Sequence, residues 1–380
     1  SFFDPRLRES VRCHVKAFGG SQAHCPNAFA TLIAANIAIA TVSGLAIFLI
    51  GWSLVRSEAL AWGMLAIALA SGELGFYARS YLSETLTIAA MLAFLLFAVH
   101  AMRDFRRHDF ALAGASLAMA ALTRPAYLYL IYGLAALLLI LAVAGRRFVP
   151  RITVVHALVF GGAAILVLSP WLVRNLVQFG DPAISKGYAE IILTQRLSYN
   201  RMSFAEWGVA WIYWLPDFGD GLARKLFPEA LYAKLGWDMP TSYFYEGGSG
   251  VFLDKVMAEA GSKELLLGHL VRTYLVGDAL KHALVTLPLT MRGLGVAKYL
   301  SVIGLPLVWL VGRRMHARGL LLPYLSLALP PLGMALFHGF VSVNIERYNA
   351  PIIALYAFNT AFVVLALIET RRHRGGIAQA

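Results

Sequence analysis

The strongest constraint on this chain is a series of long apolar runs separated by short basic tracts. A helix needs about 20 mainly apolar residues to cross the hydrocarbon core of a bilayer. Nine runs reach or approach that length, at residues 28–50, 59–78, 81–102, 110–122, 126–144, 153–173, 297–311, 320–340 and 348–368. Hydrophobic residues make up 59% of the chain and charged residues only 14%, a stronger bias than in soluble domains. The sequence therefore predicts an all-α polytopic membrane protein with about nine crossings.

The positions of the arginines indicate the orientation of these crossings. Alternate loops carry the basic clusters, which are Arg56; Arg103, Arg106 and Arg107; Arg146, Arg147 and Arg151; Arg313, Arg314 and Arg318; and Arg371, Arg372 and Arg374. Loops rich in Lys and Arg usually stay in the cytoplasm. We therefore expect residues 370–380 to form a cytoplasmic tail and residues 1–27 to lie on the outer side. The same pattern accounts for the net charge of +12 without a nucleic-acid partner.

Residues 1–27 precede the first apolar run and contain both cysteines, Cys13 and Cys25. An outer N-terminus without the features of a signal peptide predicts one more crossing upstream of Ser1. Residues 1–27 would then be the remnant of a first outer loop. Outside the cytoplasm, a disulfide between the two cysteines is favoured. A zinc site formed with His14 and His24, or two free thiols, are the alternatives.

The remaining chain divides into membrane helices at residues 28–173, a long outer loop at 174–296 and further membrane helices at 297–369. The loop is rich in tryptophan and tyrosine, and a helical pattern such as that of residues 265–287 predicts helices lying on the membrane surface. An aromatic belt at the membrane interface is the simplest explanation of this composition. A cavity roof that contacts a ligand is the functional alternative.

Single arginines on the predicted outer side stand beside the ends of crossings, at Arg79, Arg124, Arg174 and Arg347. Guanidinium groups bind phosphate in a bidentate manner and remain charged at any working pH. One such arginine is most simply explained by an interaction with lipid phosphate or with a neighbouring carboxylate. Four on the same side favour a phosphate site at the level of the lipid headgroups.

Carboxylates accompany these arginines at Glu73, Glu84 and Glu346. Ionisable groups at membrane depth are costly and usually face a partner or a polar cavity, which makes them candidates for function. A structural ion pair with Arg79 or Arg124 is the alternative. His338, near the outer end of the eighth run, is a weaker candidate.

Familiar motifs of nucleotide-driven pumps and membrane metalloproteases are missing from the sequence. The chain contains no Walker A motif, no G-x-G-x-x-G after a strand, no H-E-x-x-H and no G-x-S-x-G. These absences argue against an ATP-driven pump and against a zinc protease of familiar type.

Four short stretches, in order along the chain, resemble those of glycosyltransferases with the GT-C fold. They are Tyr77-Ala78-Arg79-Ser80-Tyr81-Leu82-Ser83-Glu84-Thr85-Leu86; Ala121-Leu122-Thr123-Arg124-Pro125; Pro170-Trp171-Leu172-Val173-Arg174-Asn175 with Phe179-Gly180-Asp181-Pro182; and Glu346-Arg347-Tyr348-x-x-Pro351. Their order and spacing are similar to the branch of protein O-mannosyltransferases and aminoarabinose (lipid A) transferases. The resemblance covers residues 28–369.

The resemblance implies an inverting transferase that uses a polyprenyl-phosphate-linked sugar as donor and a glycan, lipid or protein as acceptor. It implies a bacterial inner membrane protein whose active site faces the periplasm. Arg79, Arg124, Arg174, Arg347 and Tyr348 would bind the donor phosphate, and Glu73 and Glu346 would line the cavity.

The catalytic base implied by the resemblance is a carboxylate, for which Asp4 and Glu84 are the candidates. The family usually has this acid in its first outer loop, but residues 4–9 lack a paired-acid signature. A base lost with an upstream segment, in an incomplete or inactive chain, is the alternative. No cofactor is demanded, although a divalent metal could bridge a carboxylate and the phosphate.

Two other classes of protein also require arginines on the outer side. A transporter for a lipid-linked glycan should have inverted repeats and paired broken helices, which this sequence does not show. An O-antigen ligase or polysaccharide polymerase has a large outer loop as well, and it would use a diphosphate-linked rather than a monophosphate-linked donor.

Overall fold

The computed structural model describes residues 29–80, 83–145, 149–185, 189–236 and 239–377, and these residues form helices without any strand. The α-helices are α1 Phe29–Val55, α2 Glu58–Ala70, α3 Glu73–Ala78, α4 Glu84–Asp104, α5 Arg107–Thr123, α6 Tyr127–Val143, α7 Val154–Phe179, α8 Ala189–Ser198, α9 Phe204–Tyr213, α10 Gly219–Leu226, α11 Val251–Ala260, α12 Lys263–His269, α13 Ala279–Leu294, α14 Tyr299–Gly304, α15 Leu307–Ala317, α16 Leu321–Val341 and α17 Ile353–Ile377. The prediction of an all-α protein is confirmed for this part of the chain. Asp4, Cys13 and Cys25 lie outside the described residues.

Five of these helices are long and apolar enough to cross a membrane. They are α1, α4, α7, α16 and α17, the last together with the turn of 3₁₀ helix that precedes it. The protein is therefore a multi-pass membrane protein in architecture. The nine predicted crossings stay a prediction, because the other four correspond to shorter helices.

Two of the predicted crossings are interrupted by local backbone chemistry. The run 59–78 divides into α2 and α3 at Gly72, whose φ of 76° lies in the left-handed region that favours glycine. The run 297–311 divides into α14 and α15 just before Leu307, where Pro306 precedes the second helix. Helix α2, with 13 residues, is about 20 Å long at 1.5 Å per residue, which is short of a full crossing.

Helix α4 lies at the centre of the bundle and packs against α1, α5 and α16, while α5 packs against α7. The contact between α5 and α7 depends on Gly114. A Cβ atom at this position would lie only 2.1 Å from the carbonyl oxygen of Phe160. Small residues allow this kind of close backbone approach between membrane helices. At the C-terminal end of α4, His100 Nε2 lies 3.0 Å from Ser53 Oγ of α1.

The region between the sixth and seventh predicted crossings, the outer loop at 174–296, is helical. Helix α7 continues through Pro170 to Phe179, so Arg174 belongs to this helix, and the chain turns at Gly180 with a φ of 69°. Beyond it, α8–α13 enclose two apolar clusters of their own. Tyr199, Trp214 and Tyr243 are buried in one of these clusters rather than displayed at the surface.

Candidate functional site

Glu84 is the first residue of α4, and its side chain is buried although it carries a carboxylate. The residue is 3% exposed. A carboxylate in the first turn of a helix is favoured by the partial positive charge of the unpaired backbone N–H groups there. A buried ionised carboxylate nevertheless requires a charged partner.

Two arginines from different elements supply that partner. Arg124, which follows the last residue of α5, donates from Nη2 to Glu84 Oε1 over 2.5 Å. Arg347, in the 3₁₀ turn Glu346–Ile352, places Nε 3.6 Å from the same oxygen. Two positive charges and one negative charge leave this group of side chains with a net positive charge.

Tyr348 completes the group, which we call the Glu84 cluster: Glu84, Arg124, Arg347 and Tyr348. The guanidinium of Arg124 lies 4.6 Å from the centre of the Tyr348 ring, and that of Arg347 lies 5.8 Å from it. An aromatic face attracts a cation within about 6 Å. The ring therefore holds both guanidinium groups near one point.

The two arginines differ in their access to the surroundings. The side chain of Arg124 is 16% exposed and makes the short contact with Glu84, whereas the side chain of Arg347 is 40% exposed and its contact is longer. Arg347 can thus meet an incoming anion without first leaving a buried hydrogen bond.

A chain of hydrogen bonds supports the turn that carries Arg347 and Tyr348. His338 Nδ1 lies 3.2 Å from Asn349 Oδ1, and Asn349 Nδ2 donates to Asn344 Oδ1 over 2.7 Å. Asn344 in turn donates to the carbonyl of Leu289, on α13. The predicted candidate His338 therefore contacts the site through Asn349 and serves to position the turn. The Tyr127 hydroxyl also reaches the carbonyl of Tyr348 at 3.4 Å.

The predicted cavity carboxylates Glu73 and Glu346 form a second group next to the Glu84 cluster. Glu73 is hydrogen-bonded to the Tyr77 side chain and to the backbone of Ala297. Glu346 interacts electrostatically with Lys298 and with Arg292 of α13. Glu73, Glu346 and Glu84 all interact electrostatically with Tyr77. The two carboxylates and the Glu84 cluster therefore lie around this one side chain.

Backbone strain is concentrated around these carboxylates. Six non-glycine residues of the described chain have a positive φ, and four of them lie here: Asp217, Ala297, Lys298 and Asn344. A non-glycine residue in this conformation typically costs about 1 kcal/mol or more and persists only where its surroundings enforce it. The side chains of Lys298 and Asp217 meet at 3.7 Å.

Arg79 and Arg174 were predicted to join the same phosphate site, but their contacts are local. The Nε of Arg79 donates to the carbonyl of Gly75, one turn earlier. Arg174 donates to the side chain of Asn175, and its guanidinium lies 4.7 Å from the centre of the Trp171 ring. Of the four arginines, the structure brings together Arg124 and Arg347.

Arg196 was not predicted from the sequence, and it is completely buried between the helical loop and the bundle. Its guanidinium donates to the carbonyls of Gly339 and His282 and to the side chains of Asn200 and Thr286, at 2.6–3.0 Å. Removal from water lowers the pKa of Arg196 to about 9, because all four of these acceptors are neutral. Backbone carbonyls carry no sequence signature, so no motif marks this residue.

The sequence leaves open whether the protein binds a divalent metal. Among the residues that the structure describes, no group of three or more His, Cys, Asp or Glu side chains is arranged to hold an ion. The carboxylate of Glu84 is engaged by arginines rather than left open to a cation.

An apolar cavity of about 220 Å³ lies at the opposite ends of the helices that carry the cluster. Met102 of α4, Phe110 of α5, Leu141 of α6 and Leu322 of α16 are among its lining residues. Its surface is almost entirely hydrocarbon, which suits an apolar chain and not a sugar.

No protein-family model matches the chain, and neither a curated protein nor a solved structure is significantly similar to it.

Proposed function

We propose that this protein transfers a sugar from a polyprenyl-phosphate donor to a glycan, lipid or protein acceptor at the extracytoplasmic face of the membrane. The observation that carries the proposal is the convergence of Arg124 and Arg347 on one oxygen of Glu84, with Tyr348 beneath both guanidinium groups. A net positive cluster at the ends of membrane helices is suited to a lipid phosphate, since the tail of such a lipid remains among the helices.

In this mechanism Glu84 holds the arginines in position before the donor arrives. The donor phosphate then takes the place of the carboxylate as the partner of Arg347, whose contact with Glu84 is long and whose side chain is 40% exposed. Fixed positive charges near the leaving group stabilise the negative charge that develops when its bond to the sugar breaks.

The acceptor hydroxyl or amine attacks the anomeric carbon from the side opposite the phosphate, so the configuration inverts. A bond forms between the acceptor and the sugar, the bond to phosphate oxygen breaks, and polyprenyl phosphate leaves with the electron pair. The acceptor proton passes to a carboxylate. Because Glu84 is occupied by two arginines, we assign this role to Glu346, which is exposed and directly precedes Arg347.

The apolar cavity supports a lipid-linked substrate. It lies between α4, α5, α6 and α16, and the first three of these helices also carry or adjoin Glu84, Arg124 and Tyr127. An isoprenoid chain whose phosphate meets Arg124 would run along these helices toward the cavity, and burial of each methylene contributes about 0.8 kcal/mol.

The test is transfer of a labelled sugar from a synthetic polyprenyl-monophosphate donor by the full chain in lipid nanodiscs. We expect turnover that falls about 10²- to 10³-fold in kcat/KM for Arg347→Ala, the usual loss when one stabilising donor is removed. Arg314→Ala, an exposed arginine at the opposite ends of the helices, is the matched control and should retain activity. Turnover with a diphosphate-linked donor alone would contradict the proposal and favour a ligase.

A further inference from the structure

A second polar pocket lies in the helical loop, away from the helices that form the Glu84 cluster. It has a volume of about 230 Å³ and lies between α8, α11 and α13. Its polar lining consists of Asn200, Arg201, Lys255, Tyr274, Asp278 and Lys281. We call it the loop pocket.

The charge of the loop pocket is positive. Arg201, Lys255 and Lys281 contribute three cations, and Asp278 contributes one carboxylate. Lys255 also lies 3.7 Å from Glu259, but this carboxylate is shared, since the Tyr274 hydroxyl donates to it over 2.6 Å. The guanidinium of Arg201 reaches the carbonyl of Gly248 at the limiting distance of 3.5 Å.

The walls of the loop pocket are anchored on two sides. Leu197 and Phe252 belong to the buried apolar cluster of α8, α11 and α12. Asn200 is held by the buried Arg196 at 2.9 Å and lies 3.2 Å from Nδ1 of His282. Side chains fixed in this way keep a binding site in its productive geometry.

Unusual helix geometry surrounds the same pocket. The π-helical segment Glu246–Gly250 supplies the Gly248 carbonyl, and the π-helical segment Leu270–Val276 supplies Tyr274. π-helical turns are rare and occur frequently at functional sites. The segment Leu270–Val276 lines the pocket through Tyr274, and the segment Glu246–Gly250 contacts the lining residue Arg201 through Gly248. This geometry is independent of the charge of the pocket and points to the same conclusion.

We propose that the loop pocket is an anion site that binds a phosphate group through Arg201, Lys255 and Lys281. Arginine and lysine are the side chains that recognise phosphate, the former as a planar fork and the latter as a point charge. The volume exceeds that of a single phosphate, so the group it belongs to enters as well. Either an anionic lipid headgroup or a soluble phosphate ester has this chemistry.

The site does not depend on sugar transfer, because none of its residues belongs to the Glu84 cluster. It is nevertheless connected to that cluster. Asn200 contacts Arg196, which donates to the carbonyl of Gly339, the neighbour of His338 in α16. Contacts therefore lead from the loop pocket to α16, the helix that also carries His338.

The test is titration of inorganic phosphate by isothermal calorimetry into the full chain in nanodiscs of zwitterionic phosphatidylcholine. We expect saturable binding that weakens about tenfold in Arg201→Gln and in Lys281→Gln, since each removes one charge-assisted hydrogen bond. Asp278→Asn should strengthen binding severalfold, because it removes a negative charge from the pocket. Lys225→Gln, an exposed lysine of α10, is the matched control and should bind as the unmodified protein does.

A second arm distinguishes the two sources of phosphate. If phosphatidylglycerol in the nanodisc competes with inorganic phosphate, and less so in Lys281→Gln, the ligand is a lipid headgroup. If only soluble glycerol phosphate competes, the ligand is a soluble ester. The proposal is overturned by an absence of saturable binding, by equal binding in all variants including Lys225→Gln, or by weaker binding in Asp278→Asn.

Discussion

The protein brings arginines together with their partners in two regions, and it satisfies their charge in opposite ways. In the Glu84 cluster, Arg124 and Arg347 share one carboxylate oxygen and one aromatic ring. At the junction of loop and bundle, Arg196 is surrounded by four neutral acceptors from three elements. A carboxylate can be exchanged for a phosphate, which has the same sign of charge, whereas a set of backbone carbonyls fixed by helices cannot. The first region is therefore suited to binding an anion and the second to connecting parts of the fold.

The largest effect should come from Arg196→Met, which replaces the guanidinium with an apolar side chain of similar length. The carbonyls of Gly339 and His282 would remain buried without their donor, so we expect a loss of about 3–5 kcal/mol in the free energy of unfolding. Denaturant unfolding in detergent micelles measures this loss. Lys225→Met, on the surface of α10, should change stability by less than about 0.5 kcal/mol. Equal stability of the two variants would show that Arg196 is not a connector.

His282, whose carbonyl accepts from Arg196, should also make the stability of the protein depend on pH. Its Nε2 lies 3.0 Å from the carbonyl of Phe340, to which it donates, and its Nδ1 accepts from Asn200. Burial and the nearby charge of Arg196 lower the pKa of His282 to about 4, so the folded protein holds this ring neutral. The unfolded chain binds a proton below about pH 6.5, and stability should therefore fall between pH 6.5 and 4, by up to about 3 kcal/mol.

Thermal unfolding at a series of pH values checks this expectation, with His282→Gln as the comparison. The variant should be less stable at pH 8 but should lose less stability on acidification than the unmodified protein. Parallel curves for the two proteins would contradict the role assigned to His282.

Glu84→Gln tests the Glu84 cluster, the other of the two regions compared. Without the negative charge, Arg124 and Arg347 repel each other and lose their common anchor. We expect the KM for the polyprenyl-monophosphate donor to rise about tenfold, equivalent to about 1.4 kcal/mol, with a smaller change in kcat. Steady-state kinetics separate the two constants. A large loss of kcat at unchanged KM would instead indicate that Glu84 accepts the proton, and Glu346→Gln should give that result if our assignment is right.

The smallest effect concerns the aromatic ring beneath the two arginines. Tyr348→Leu removes the cation–π contacts and should weaken donor affinity by about 1 kcal/mol, or roughly fivefold. Tyr348→Phe keeps the ring and should behave almost as the unmodified protein does. Equal affinities for the two variants would show that the ring does not position the guanidinium groups.

The sequence predicted the helical membrane architecture because apolar runs require helices in lipid, where each backbone polar group must be satisfied within its own segment. The sequence predicted the ends of the helices less accurately. Gly72 ends α2 early, and this depends on one φ angle that hydropathy does not report. Arg174 was assigned to the beginning of a loop, but α7 continues past it because Pro170 is accommodated within the helix.

Within the candidate site, Glu84, Arg124 and Arg347 were identified from their positions at crossing ends, and Tyr348 from the resemblance of the stretch that contains it. Arg79 was identified by the same argument and yet makes a local contact. The charge pattern predicts the side of the membrane, whereas the face of the helix on which a side chain lies depends on packing. Arg196 escaped detection because three of its contacts depend on elements more than 80 residues away.

The left-handed backbone at Asp217, Ala297, Lys298 and Asn344 has a consequence for how this protein could be improved or could evolve. Glycine adopts such a conformation without strain, so Ala297→Gly is an available route to a more stable protein. In this chain, none of the four positions around Glu73 and Glu346 is a glycine. Stability and activity often oppose each other where a rigid, strained backbone orients reactive groups. On this view, a thermostable variant selected without regard to activity would accumulate glycines at this junction and would lose turnover as it gained heat resistance.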